Sequence, residues 1–254
     1  MKRLISLLIR FIPRTLLQRV GGPGLKAVGI FYRGNSVMCP VCNTGFRKFL
    51  PYGRINPREN ALCPSCLSLE RHRLLWLYLN HHGFFEKQLR VLHIAPEACF
   101  IKRFEKVHGS HYITADIESP LAKVKMDIQA IPFSEDTFDV VLCNHVLEHV
   151  DDDIAAMKEI KRVLKPHGYA ILQVPFFHPV PAETFEDKSI MDKQQRERLF
   201  GQADHVRRYG SDYAARIRKA GLQLIEDTFA SQLPDDQAKL YGISKSEIIY
   251  KGVK

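Results

Sequence analysis

From Leu89 onward, short apolar runs alternate with amphipathic helical stretches, and this alternation restricts the chain more than any other feature. Strands that alternate with helices form a parallel sheet with helices on both faces. The sharpest unit is Phe138–Val150. Its Val140-Val141-Leu142-Cys143 core is apolar throughout, as a strand covered on both faces must be. It ends in Asn144, His145, Glu148 and His149, just before an acidic helix start at Asp151-Asp152-Asp153. An open parallel sheet builds its ligand site from polar groups delivered at the carboxyl ends of its strands.

The remaining pattern supplies six further strands: Leu89–Ala95, His111–Ala115, Val124–Met126, Tyr169–Val174, Leu222–Asp227 and Glu247–Tyr250. Helices are expected at Phe100–Lys106, Asp153–Leu164 and Ser211–Ala220, and Pro166-His167-Gly168 reads as a turn. The expectation is therefore a Rossmann-like, mostly parallel seven-stranded sheet in an α/β domain covering 69–254. Its first strand ends would present Ala95, Pro96 and Glu97, then Asp116, Asp127, and Asn144 with His145. Asp116 follows Pro96 by 20 residues, the distance at which a carboxylate meets a ribose hydroxyl in nucleotide-binding sheets. Singly each acid reads as a turn or cap residue; four successive strand ends carrying polar groups read as a site.

Ahead of this region, Cys39-Pro40-Val41-Cys42 and Cys63-Pro64-Ser65-Cys66 form two Cys-x-x-Cys pairs with 20 residues between them. Four thiolates on two knuckles suit tetrahedral zinc, and a site filled by sulfur at all four positions is structural. An iron–sulfur cluster or a redox pair is the rival. The segment 35–68 is thus expected to be a small zinc-ribbon module. The helix that follows, Ser68–Asn80, has Ser68 as its expected cap and Gly83 beyond its end.

Charge is concentrated at the front. Residues 1–38 carry seven basic residues and no acid, and 39–73 contribute a net +4, so the total of +9 leaves the remainder at −2. Leu4, Leu7, Leu8, Phe11, Ile12, Leu16, Leu17 and Val20 recur at helical spacing within segment 1–34, interleaved with basic residues. That pattern suits an anionic membrane surface, RNA, or packing on the protein's own body. Arg10 cuts the apolar run short for a signal peptide. No run of about 18 apolar residues exists to span a bilayer. The expected location is cytoplasmic, with a peripheral position at the inner membrane face as the alternative.

Three blocks carry a family resemblance. They are Met126-Asp127-Ile128-Gln129-Ala130-Ile131-Pro132-Phe133 running on to Phe138-Asp139-Val140-Val141, then His145-Val146-Leu147-Glu148-His149-Val150, then Arg162-Val163-Leu164-Lys165-Pro166-His167-Gly168. Over residues 85–254 the chain resembles a class I S-adenosylmethionine-dependent methyltransferase. The resemblance implies that Asp116 binds the cofactor ribose, with Ile117 beside it a further cofactor-binding residue, that Asp127 and Ile128 flank the adenine, and that Asn144 and His145 face the methionine portion. The family's first loop is glycine-rich; here it reads Leu92-His93-Ile94-Ala95-Pro96-Glu97-Ala98. Ala95 is small enough to keep the backbone's approach, Pro96 stiffens the turn, and Glu97 offers a carboxylate to an amino group.

Methyl transfer needs a base only where the nucleophile carries a proton. By residue type His145, His149, His178 and His205 qualify, and His145 and His205 are the catalytic candidates. The polar, aromatic stretch Gly201–Tyr213 and Phe176-Phe177-His178-Pro179 are expected around the acceptor. His145-Val146-Leu147-Glu148-His149 also fits the H-x-x-E-H pattern of inverted zinc proteases, but His145 follows a strand directly, so the protease reading is set aside. The functional expectation is methyl transfer from S-adenosylmethionine to a small or saccharide-like acceptor. The alternatives are a zinc-containing RNA methyltransferase and a non-catalytic zinc-ribbon binding protein with a degenerate cofactor loop.

Overall fold

The computed structural model describes residues 29–53 and 57–254. The amphipathic segment expected over 1–34 lies almost wholly outside the described residues. Two compact units divide the chain: Met1–Glu86, Glu97–Phe104 and Thr228–Glu247 form the first, and Lys87–Pro96, Glu105–Asp227 and Ile248–Lys254 the second.

The first unit contains two hairpins. Arg33–Cys39 pairs antiparallel with Thr44–Phe46, and Leu50–Tyr52 with Arg58–Leu62. The helix Glu70–His81 follows. Leu69, not Ser68, precedes its first turn, and Leu69 N–H donates to His72 Nδ1 at 3.1 Å. This is half of a capping box with an imidazole in place of the usual carboxylate. Ser68 is occupied elsewhere, against two cysteines. The helix buries Leu74, Leu75, Tyr78 and Leu79, and Trp76 stacks on Phe100 and Phe104.

The second unit holds the seven-stranded sheet. Its strands are β1 (Val91–Ile94), β2 (Tyr112–Asp116), β3 (Val124–Lys125), β4 (Phe138–Asn144), β5 (Leu164–Gln173), β6 (Gln223–Asp227) and β7 (Ile249–Val253). Their spatial order is β6-β7-β5-β4-β1-β2-β3. β1 to β5 pair in parallel, and β7 lies antiparallel between β5 and β6. This is the expected Rossmann-like sheet. β4 is buried along almost its whole length, as its unbroken apolar run requires. Ala156, Met157, Ile160 and Val163 of the helix Asp153–Val163 pack with Tyr213, Ile217 and Leu222 into its core. Order reverses between β1 and β4, so the chain leaves these neighbouring strands in opposite directions, and a crevice forms at their carboxyl ends.

β5 begins at Leu164, earlier than the Pro166-His167-Gly168 turn suggested. Leu164 pairs with Phe138, and an irregularity before Tyr169 absorbs the turn, with His167 at φ 65°. Among the described residues no helix is long and apolar enough to cross a membrane.

Candidate functional site

The carboxyl ends of β1 to β4 carry most of the residues expected at the cofactor. β1 ends at Ile94, and Ala95 turns the chain with φ 50° while its N–H donates to Ala115 O at 2.9 Å. A left-handed backbone at a residue with a Cβ is costly, and such positions gather at functional sites. His145, the residue just past β4, has φ 55° and donates its N–H to Gln173 O at 2.7 Å. Neighbouring strands thus both end in a strained residue, each tied to the next strand over.

Asp116 closes β2. Its Oδ1 accepts the N–H groups of Glu118 and Ser119, both at 2.7 Å, and Oδ2 has no partner among the described residues. Next to it Ile117 is 57% exposed, an apolar side chain presented at a strand end. Asp127 Oδ1 accepts Gln129 N–H at 2.8 Å, while Ile128 is buried in the core. Both acids therefore also serve the turns that follow them. Glu97 belongs to the first unit, where it lies 3.9 Å from His72 Nε2.

Asn144 is buried at the end of β4, and His145 Nδ1 lies 3.4 Å from Glu148 Oε1. Burial pushes the Glu148 carboxyl up, but the His145 hydrogen bond and the charges of His145 and His149 outweigh it and hold it below its ordinary value. His205 is fully buried, and that burial lowers its pKa. Of the stretch after β5, Phe176 packs on Tyr213 and Tyr250.

Within the polar stretch Gly201–Tyr213, the segment 204–208 is stitched to the loop after β4. Val206 N–H donates to Glu148 O at 2.9 Å. Arg207, 2% exposed, donates to the carbonyls of Leu147 (2.5 Å), Val150 (2.6 Å) and Asp151 (3.0 Å) and pairs with Glu186 at 2.9 Å. Arg207 thus holds the backbone that carries Glu148 and His149. Nothing in the sequence flags it except the polar density of its surroundings, because its partners lie about sixty residues away.

In the first unit, the four cysteines converge. One sulfur from each of Cys39, Cys42, Cys63 and Cys66 lies within 4.8 Å of the others. Cys39–Cys66 and Cys42–Cys63 stand at 3.6 and 3.7 Å, close to the edge of about 3.8 Å that a tetrahedron with 2.3 Å zinc–sulfur bonds requires. Asn43 and Leu67, each just after a knuckle's second cysteine, have φ of 50° and 62°, so both knuckles are followed by a residue in the left-handed region. The thiols share protons: hydrogen bonds from Cys39 and then Cys63 hold Cys42 far below its ordinary pKa. Ser68 Oγ reaches Cys39 at 3.1 Å and Cys66 at 3.3 Å, the kind of support that orients metal ligands. Buried Arg73 donates to Ala61 O, Ser68 O, Tyr241 O and Gly242 O and lies 4.0 Å over the Phe49 ring. Its charge stands near the sulfurs of Cys39, Cys63 and Cys66.

Comparisons with known proteins agree with this architecture. Residues 76–172 match the family described as "Methyltransferase domain". A tRNA U34 carboxymethyltransferase of Nautilia profundicola is 30% identical over 135 residues, covering 51% of this chain and 40% of that protein. An uncharacterized methyltransferase of Schizosaccharomyces pombe is 50% identical over 42 residues, 16% of this chain and 15% of that protein. The chain thus spans less than half the length of these relatives. The crystal structure of an S-adenosylmethionine-dependent methyltransferase from Mesorhizobium loti superposes with a TM-score of 0.50 at 13% identity, over 70% of this chain and 97% of that one, and so shares the fold. Residues 76–172 thus match a methyltransferase domain family, and the order of the sheet is that of the Rossmann-like fold the Mesorhizobium loti enzyme shares.

Proposed function

We propose that the chain binds S-adenosylmethionine at the carboxyl ends of β1 to β4 and transfers its methyl group to an acceptor. The observation that carries this reading is the pair of strained strand ends, Ala95 and His145, flanking the point where strand order reverses. When bound, the cofactor supplies a methyl group already activated by its sulfonium. In this reading Asp116 Oδ2 accepts a ribose hydroxyl, and Ile117, exposed at the strand end, covers an apolar base edge. Asp127, with Ile128 anchoring its turn in the core, borders the same region. Ala95 and Pro96 shape the backbone for close approach, and Asn144 and His145 face the methyl end. Glu97 is the further candidate for the cofactor's amino group.

The chain's main task is alignment of acceptor and methyl carbon with water excluded. His145, paired with Glu148 at 3.4 Å, is the candidate base for an acceptor that holds a proton. His205, the second candidate, is buried with its ring against that of His149.

For the acceptor, two readings stand. A small or saccharide-like molecule follows from the slightly acidic sheet region. RNA gains from the Nautilia relative, whose name is that of a tRNA enzyme, and from the basic front of the chain. The four-cysteine cluster is assigned to one structural zinc ion, and the protein to the cytoplasm, with the basic front as the contact for an anionic membrane surface or RNA.

Calorimetry with S-adenosylhomocysteine tests the core of this reading. Wild type binds, and Asp116→Ala weakens binding at least tenfold through loss of a charge-assisted hydrogen bond. Absence of binding at millimolar ligand would favour the non-catalytic zinc-ribbon reading. Transfer of labelled methyl to bulk tRNA, set against a small-molecule extract, separates the two acceptors.

A further inference from the structure

A second constellation of metal-ligating side chains lies within the second unit. Glu148 and His149 come from the loop after β4, and His205 from the segment stitched to it. One ligand atom from each lies within 4.8 Å of the others. The two imidazoles stand with ring centroids 4.7 Å apart, nearly perpendicular.

Each histidine is oriented in the same way. His205 Nδ1 faces Phe200 O at 2.9 Å, and His149 Nδ1 faces Asp204 O at 3.2 Å. Donation to a carbonyl fixes the tautomer and leaves Nε2 with its lone pair, the arrangement of a metal-binding imidazole. Glu148 divides its carboxylate. Oε1 faces His145, while Oε2 is buried without a hydrogen-bond partner among the described residues. His205 Nε2 is likewise buried and unpartnered. Glu148 is 1% and His205 0% exposed. Two orphaned acceptors in one buried cluster are expensive to leave unmade, and a cation satisfies both at once.

We propose that Glu148, His149 and His205 form a second metal site, for a divalent first-row transition cation. Two imidazoles and one carboxylate are the donor set of zinc and of ferrous iron, and three protein ligands leave an exchangeable position. The H-x-x-E-H pattern lacked a third ligand on its own helix. Here His205 supplies it from the chain's later insertion, and His145 stands outside as a partner of Glu148. Donors at about 2.0–2.1 Å from an ion lie roughly 3.3 Å apart. The partly exposed His149 ring has room to close that gap.

The test is metal stoichiometry of the full chain, stripped and then dialysed against excess Zn2+. Wild type is expected to hold two ions. A mercurial that blocks thiols releases one, and only a chelator releases the other. His205→Asn and His149→Gln are expected to lose the mercurial-resistant ion and keep the other. With Co2+, one equivalent shows thiolate charge-transfer bands and the second shows only weak ligand-field bands. A wild type that saturates at one mercurial-releasable ion overturns the proposal, as does retention of the resistant ion in a folded His149→Gln variant. If His205→Asn fails to fold, the wild-type Co2+ titration and His149→Gln decide. None of these readouts depends on methyl transfer.

Discussion

Replacing Arg207 by methionine keeps most of the side chain's length and removes its guanidinium. In the native fold that group makes three hydrogen bonds to the carbonyls of Leu147, Val150 and Asp151 and one ion pair to Glu186. The ion pair counts for little, about 1 kcal/mol or less, because Glu186 is partly exposed. Charge-assisted bonds from a buried group contribute about 1.5–3 kcal/mol each. Three of them sum to at least about 4.5 kcal/mol, from which local relaxation and entering water subtract. The expected loss is roughly 3–5 kcal/mol, a fall of roughly 6–20 °C in Tm for a chain of this size. Urea unfolding followed by circular dichroism measures it, with Glu186→Gln as the control. The control removes the pair but leaves the carbonyl bonds, and is expected to cost about 1 kcal/mol or less. The reasoning fails if Arg207→Met costs no more than the control, for then the loop after β4 does not depend on the buried guanidinium.

Three further outcomes follow from the same geometry. Ala95→Gly relieves the left-handed backbone at φ 50° and should stabilise the fold by roughly 1 kcal/mol while preserving or tightening S-adenosylhomocysteine binding; a destabilised variant would show that the Ala95 methyl packs instead of straining. Asp153 is buried, which alone would raise its pKa, but Arg216 at 2.6 and 2.8 Å, with the Arg207 charge and Tyr209, holds it below its ordinary value. Its contribution is therefore present above the unfolded carboxylate pKa of about 3.9 and lost as pH falls through the depressed native value. Arg216→Met should cost most at neutral pH, with the gap to wild type narrowing below about pH 4; parallel pH-stability curves would refute it. Stripping metal from Cys39, Cys42, Cys63 and Cys66 should expose the hairpins at 33–46 and 50–62 to protease before the sheet is cut, since small modules of this kind fold on their metal; an unchanged cleavage pattern would count against a structural ion.

The strands that bury both faces were legible because their apolar runs admit few alternatives: β4 lies where Phe138–Asn144 predicts it. The boundaries that moved did so for tertiary reasons. β5 starts at Leu164 because Phe138 offers it a pairing partner, which overrides the turn propensity of Pro166-His167-Gly168. β7 runs Ile249–Val253 past Gly252, a weak strand residue that leaves room for Leu222 and Leu172. Ser68 has the chemistry of a helix cap, yet its hydroxyl goes to two thiols, one of them that of Cys39, which only the fold brings beside it.

By itself the sequence determined the class of sheet, the order of its strands along the chain, the four cysteines that converge, and the polar residues at the strand ends. These depend on local period and on knuckle chemistry, which act over a few residues. Only the tertiary structure decided that β7 inserts antiparallel between β5 and β6, that Arg207 holds the loop after β4, and that His205 joins Glu148 and His149. Those contacts join residues far apart in the chain, and no local pattern records which distant groups a fold will bring together.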